Sequence, residues 1–168
     1  MNPLAILIGP PGAGKTSIGT ELASLLGVSF TDTDKKVEEV AHKSISDIFV
    51  ESGEDHFREL ELQVLEKALT DADGVLSLGG GAPLSDQAQN ILRSSGVPII
   101  FLDVSLSAAA PRIGFNRDRP LLLGNPRAKW QELMNTRKPI YESLATHTLV
   151  TDDLNPKQAA KELARILK

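Results

Sequence analysis

At 168 residues the chain has the length of one domain and can bury about two-thirds of its unfolded surface without cross-links. Its formal charge of -4 argues against a nucleic-acid backbone as partner, and the lack of cysteine excludes a disulfide scaffold and thiolate metal sites. The N-terminus, Met1-Asn2-Pro3-Leu4, has no signal-peptide pattern, and no apolar run approaches the ~20 residues of a membrane span, so a soluble cytoplasmic protein is expected.

Short apolar runs alternate with longer amphipathic segments, the pattern of a parallel α/β sheet. Leu4 to Ile8 is an unbroken apolar run, as expected of a strand covered on both faces. Thr16 to Leu26 reads as a helix with Ile18, Leu22, Leu25 and Leu26 on its core side. Val28 to Thr31 is a second strand running to Asp32, followed by short helices over Asp34–His42 and Ser46–Glu51. Ser52-Gly53-Glu54-Asp55 matches a capping box opening a helix to about Leu69, with Phe57, Leu60, Val64, Leu65 and Ala68 inward.

Val75 to Leu78 is a third strand, Ser85 to Ser94 a helix, and Pro98 to Leu102 a fourth strand. Leu106 to Arg112 predicts a short helix whose continuity Pro111 limits. Residues 114 to 126, with two glycines, two prolines and interspersed charge, read as a loop long enough to be a lid. Ala128 to Leu144 is a helix and Thr148 to Val150 a last strand. Asn155-Pro156 then caps a helix running to the C-terminus.

Gly9-Pro10-Pro11-Gly12-Ala13-Gly14-Lys15-Thr16 matches the P-loop pattern in full, with an apolar strand before it and a helix after it. Its glycines let backbone N–H groups converge on one phosphate, and the positive end of the helix points at the same place. Lys15 adds a mobile charge on the outer phosphates, and the Thr16 hydroxyl can ligate Mg²⁺. Nucleotide binding is the expectation.

Asp32 and Asp34 stand at the C-terminal end of the second strand, the edge where open α/β sheets bind ligands. Two residues apart, they face one side. One could hold Mg²⁺ through water, and the other could take a proton from a substrate hydroxyl. Gly79-Gly80-Gly81 ends the third strand at the same edge and permits close backbone approach to a ligand. Arg112, Arg117, Arg119, Arg127 and Arg137 cluster within an acidic chain, as a small-anion site or a solvated basic face would. His42, His56 and His147 show no ligand spacing, and Trp130 and Tyr141 read as packing residues.

GPPGAGKT at 9–16, DTD at 32–34, FRELE at 57–61, SLGGGA at 77–82, RDRPLL at 117–122 and RKPIY at 137–141, in this order, resemble the shikimate kinase family over the whole chain. The resemblance implies one P-loop kinase domain over 1–168, with a five-stranded parallel sheet of order 2-3-1-4-5 flanked by helices. It also implies a shikimate-binding region at about 32–61, a mobile lid at 114–126, and a monomer. The implied reaction moves the γ-phosphoryl group of ATP to the 3-hydroxyl of shikimate.

Carried over by motif, Gly12, Ala13, Gly14, Lys15, Thr16 and Ser17 would hold the nucleotide phosphates, and Arg112 would lie against the adenine. Thr16 would ligate Mg²⁺ directly and Asp32 through water. Asp34 would bind the shikimate hydroxyls and accept the proton, and Arg58 and Arg137 would grip the carboxylate. Gly79, Gly80 and Gly81 would line the ring pocket, and Lys15 and Arg119 would stabilise the transferring phosphate. Rival readings are another kinase of this fold, such as a gluconate kinase, and a nucleotide-binding module without catalysis. The joint presence of Asp34, Arg58, the triple glycine and Arg137 argues against both.

Overall fold

Four consecutive side chains, Ala5–Ile8, are wholly buried and form β1, because helices cover both faces of the sheet at this point. A computed structural model describes residues 2–113 and 125–168; Gly114, Arg117, Arg119 and the rest of 114–124, most of the expected lid, lie outside the described residues. After β1 the chain forms α1 (Lys15–Leu26), β2 (Phe30–Asp32), α2 (Thr33–Ala41), α3 (Ile45–Asp71) and β3 (Val75–Ser77). It continues through α4 (Asp86–Ser94), β4 (Ile99–Asp103), α5 (Leu106–Ile113), α6 (Pro126–Leu144), β5 (His147–Val150) and α7 (Pro156–Ile166).

The five strands pair in parallel in the order β2-β3-β1-β4-β5, as the family resemblance implied. The first connections run to one side of β1 and the later ones to the other, which opens a crevice at the C-terminal ends of the strands. Parallel pairing places every strand's C-terminal end on one edge. The phosphate loop after β1, Asp32 after β2, the glycines after β3, Asp103 ending β4 and Thr151 after β5 therefore share that edge.

Local signals account for most element ends. Asn155 caps α7 with a complete capping box to Gln158, and Pro156 takes the first turn as expected. The Asn125 side chain accepts from Ala128 N–H, so α6 begins at Pro126, two residues before its expected start. Ser52 makes no capping bond among the described residues. The expected boundary is instead a kink at Gly53, whose backbone (φ 85°) divides α3 into two helical stretches. Pro111 sits inside α5 without ending it before Arg112.

The main core joins both sheet faces to α1, α3, α4, α6 and α7 through residues such as Leu22, Leu65, Leu92, Phe101, Trp130 and Leu163. A smaller cluster of Val37, Ile48, Phe57 and Val64 ties α2 to the two halves of α3, with the Phe49 and Phe57 rings 5.0 Å apart. Of the expected inward face of α1, Ile18 and Leu22 are buried, while Leu25 is half exposed. The helix turns its narrow Gly19 and Ala23 to the sheet, and Gly19 leaves room for the Phe30 ring.

Candidate active site

The phosphate loop opens onto a cleft of about 630 Å³ whose wall includes Gly12, Gly14, Lys15, Thr16, Asp32, Asp34, Gly80 and Arg112. Residues called from the sequence on four separate segments thus meet in one space. Gly12 sits at φ 84°, and an added Cβ would stand 3.0 Å from the Ala109 and Ile113 side chains, so both conformation and space require glycine. Lys15 Nζ folds back over the loop, donating to Gly9 O at 2.6 Å and Pro10 O at 3.0 Å. Ala13 is fully buried and its N–H turns to Pro10 O at 3.2 Å.

The Thr16 hydroxyl donates to Asp32 Oδ2 at 3.3 Å, while Asp32 Oδ1 caps α2 by accepting from Asp34 N–H at 2.9 Å. A hydroxyl and a carboxylate in contact at the mouth of a phosphate loop are the hard-oxygen set that Mg²⁺ takes alongside phosphates and water. No group of three or more His, Asp or Glu side chains suited to a metal occurs among the described residues. Asp103, at the end of β4, pairs with Lys138 at 3.4 Å.

Between Asp32 and Asp34, the buried Thr33 hydroxyl accepts from Gly79 N–H at 2.9 Å and so fixes the turn after β3 to the end of β2. The three glycines then form a hub. A Cβ on Gly79 would collide with the Asp34 carboxylate, and one on Gly81 would collide with the Arg58 guanidinium. One on Gly80 would stand 3.1 Å from Arg137. Three charged groups from β2–α2, α3 and α6 can approach this turn only because it lacks side chains. Gly79 N–H is spent on Thr33, Gly79 O accepts from Ala82 N–H, and Gly80 O accepts from the Tyr141 hydroxyl at 2.6 Å. The N–H groups of Gly80 and Gly81 make no hydrogen bond among the described residues.

Arg58 lies on α3 with Glu61 one turn on, at 2.6 Å, and with Glu54 one turn back, at 3.5 Å. Glu61 is 3% exposed, and Arg137, on α6, is 7% exposed. Burial pushes the Glu61 carboxyl up to about 7 against the pull of Arg58; Asp34 raises it further, while Arg137 lowers it. Burial likewise raises the Tyr141 hydroxyl to about 12, so it stays a hydrogen-bond donor. Glu61, Thr33 and the polar ends of Trp130 and Tyr141 escaped the sequence reading. The Arg58–Glu61 spacing on one helix face was the available signal for the first.

Glu61 makes the fold pH-dependent in a defined direction. Its folded-state pKa lies above the ordinary 4.5, so the fold binds its proton more tightly than the unfolded chain does. The resulting stabilisation is complete below about 4.5 and is lost as pH rises to about 7. Glu61→Gln removes this titration. Its thermal midpoint is therefore expected to gain on the wild type's between about pH 5 and about pH 8. A difference that stays constant over that range would contradict the burial argument.

Arg112 reaches the cleft from α5, donating to Gly12 O at 3.1 Å, Thr151 Oγ1 at 3.2 Å and Thr151 O at 2.9 Å. Leu154 and Pro156 line the same cleft. Ser17 also lines it. No helix among the described residues is long and apolar enough to cross a membrane. Arg119 lies outside the described residues.

Comparison with known proteins agrees with this geometry. The family model described as shikimate kinase matches residues 11–168. The shikimate kinase of Thermobifida fusca is 50% identical over 165 residues, covering 98% of this chain and 95% of the relative. That of Salinispora arenicola is 48% identical, covering 99% of each. Among solved structures, a shikimate kinase from Acinetobacter baumannii in complex with shikimate superposes with a TM-score of 0.94 at 31% identity, covering 99% of this chain and 93% of that one.

Proposed function

The chain belongs to the shikimate kinase family, and from that membership we propose that it moves the γ-phosphoryl group of ATP to the 3-hydroxyl of shikimate. The observation that carries this reading is the convergence of Asp34, Arg58 and Arg137 on the glycine turn beside the phosphate loop. Shikimate carries one carboxylate and several hydroxyls. A site for it needs guanidinium donors, a proton acceptor and backbone amides, and this turn offers all three.

In this assignment Arg58 and Arg137 bind the carboxylate, with Glu61 holding Arg58 from behind. Gly80 and Gly81 offer their N–H groups, while Gly79 contributes the space that Asp34 occupies. Asp34 orients the acceptor hydroxyl and takes its proton as the phosphoryl group moves. Gly12, Gly14 and Lys15 hold the phosphates, with Ala13, Thr16 and Ser17 completing the loop, and Arg112 flanks the base. The Thr16 hydroxyl directly and the Asp32 carboxylate through water would hold Mg²⁺, which would neutralise charge on the phosphates. Arg119 has the role of the lid arginine that meets the transferring group. The enzyme works in the cytoplasm as a monomer.

The test is ADP formation with Mg·ATP and, in turn, shikimate, gluconate, AMP and water. Turnover with shikimate alone is the expected result. Turnover with gluconate or AMP in its place would overturn the acceptor assignment and leave the phosphate loop standing.

A further inference from the structure

Three consecutive carbonyls of the phosphate loop are each held from outside the cleft or at its rim by a different element. The Trp130 indole N–H on α6 donates to Pro11 O at 2.7 Å. Arg112 on α5 donates to Gly12 O at 3.1 Å. The Thr151 hydroxyl, just past β5, shares its one proton between Ala13 O at 3.3 Å and Asp103 O at 3.2 Å, and its oxygen accepts from Arg112. Trp130 is 2% exposed and Thr151 is fully buried; neither lines the cleft, whereas Pro11, Gly12 and Gly14 do.

In a trans peptide the C=O and the following N–H point in opposite directions, and none of the described peptides is cis. Holding Pro11 O toward α6 therefore aims the Gly12 N–H the other way, toward the cleft. Holding Ala13 O toward Thr151 does the same for the Gly14 N–H. These peptides need such a hold, because glycine follows each of them, with φ of 84° at Gly12 and 92° at Gly14. Glycine's broad conformational range makes rotation of an adjoining peptide plane inexpensive. A rotated plane would turn a carbonyl dipole on the anion that the amides should bind.

We propose that Trp130 and Thr151 are positioning residues for nucleotide binding, holding the Pro11 and Ala13 carbonyls outward so that the Gly12 and Gly14 amides face the phosphates. The proposal rests on the reading of residues 9–16 as the phosphate site and adds two residues that touch no substrate. Both act through the loop backbone. Their removal must therefore move nucleotide affinity without moving shikimate affinity, which a purely structural role would not do selectively.

Trp130→Phe keeps a smaller aromatic ring and removes the donor; Thr151→Val keeps the volume and removes the hydroxyl. Each is expected to raise the KM for Mg·ATP about tenfold, the scale of one lost hydrogen bond to a buried group, with the shikimate KM unchanged. Trp130 is the only tryptophan in the chain, so emission of the wild-type protein reports on the same contact. It is expected to shift on addition of Mg·ADP and to stay unchanged with shikimate alone. If Trp130→Phe fails to fold, Thr151→Val decides the matter alone. An unchanged ATP KM, or an equal rise in both KM values, would overturn the proposal. Lys15→Ala run alongside separates the two levels. A silent Lys15→Ala would remove the phosphate-site reading itself, whereas an effect there with silent Trp130→Phe and Thr151→Val removes only the brace.

Discussion

Asp34→Asn is expected to lower kcat by about 10²- to 10⁴-fold, the usual contribution of a positioned general base, with little change in either KM. Asparagine keeps the size and one oxygen of the side chain, so it still orients a hydroxyl but cannot take its proton. The local structure should survive the change. The Asp34 N–H that bonds Asp32 belongs to the backbone, and the Thr33 hydroxyl that receives Gly79 N–H is untouched. Phosphoryl transfer is otherwise mostly positioning and charge stabilisation, and those parts sit on other residues. A kcat near that of the wild type would remove Asp34 as proton acceptor and leave it an orienting group.

Arg58→Ala and Arg137→Ala are each expected to weaken shikimate binding roughly tenfold to a hundredfold, since a charge-assisted hydrogen bond contributes about 1.5–3 kcal/mol. Affinity for Mg·ATP should change little, because neither guanidinium lines the cleft beside the phosphate loop. The two variants differ in a useful way. Removing Arg58 leaves Glu61, buried and already titrating near 7, without its main counter-charge, so its carboxyl shifts further up. Glu61→Gln with Arg58→Ala should therefore lose less stability together than the two separate losses would sum to. Removing Arg137 takes away a positive group that lowers the titration of both Glu61 and Tyr141. Shikimate affinity unchanged in both arginine variants, measured by calorimetric titration, would contradict the carboxylate assignment.

The strands and the phosphate loop were legible because each rests on short-range physics. An apolar run of four or five residues has few places to go except a covered parallel strand, and the glycines of residues 9–16 have one common use. The C-terminal helix was legible down to its Asn155 cap and Pro156. Asp32 and Asp34 both line the cleft, but Asp34 stands in the first turn of α2 and not on extended chain, so the helix start and not strand alternation places it there. What the sequence did not contain was the partner of each group across the fold. Trp130 and Tyr141 read as packing residues, and their rings do pack, yet their polar ends reach Pro11 and Gly80 from 119 and 61 residues away. Thr33, between two acidic residues, gave no sign that it receives the Gly79 amide 46 residues on. Glu61 needed burial to become informative, and burial is a property of the assembled α3 face. The kink at Gly53 was misread as a serine cap because composition marks a helix break without saying which residue makes it.

In the proposed binding geometry the acceptor hydroxyl lies between Asp34 and the phosphate loop while Arg58 and Arg137 hold the carboxylate at the far side of the glycine turn. The position of the new phosphate on the product tests it most directly. After reaction with Mg·ATP and shikimate, phosphorus–proton correlation spectroscopy of the isolated product should place the phosphate on the 3-hydroxyl. Phosphate on another hydroxyl, or on the carboxylate, would mean that the ring binds in a different orientation and that the roles given to Asp34 and the two arginines are wrong.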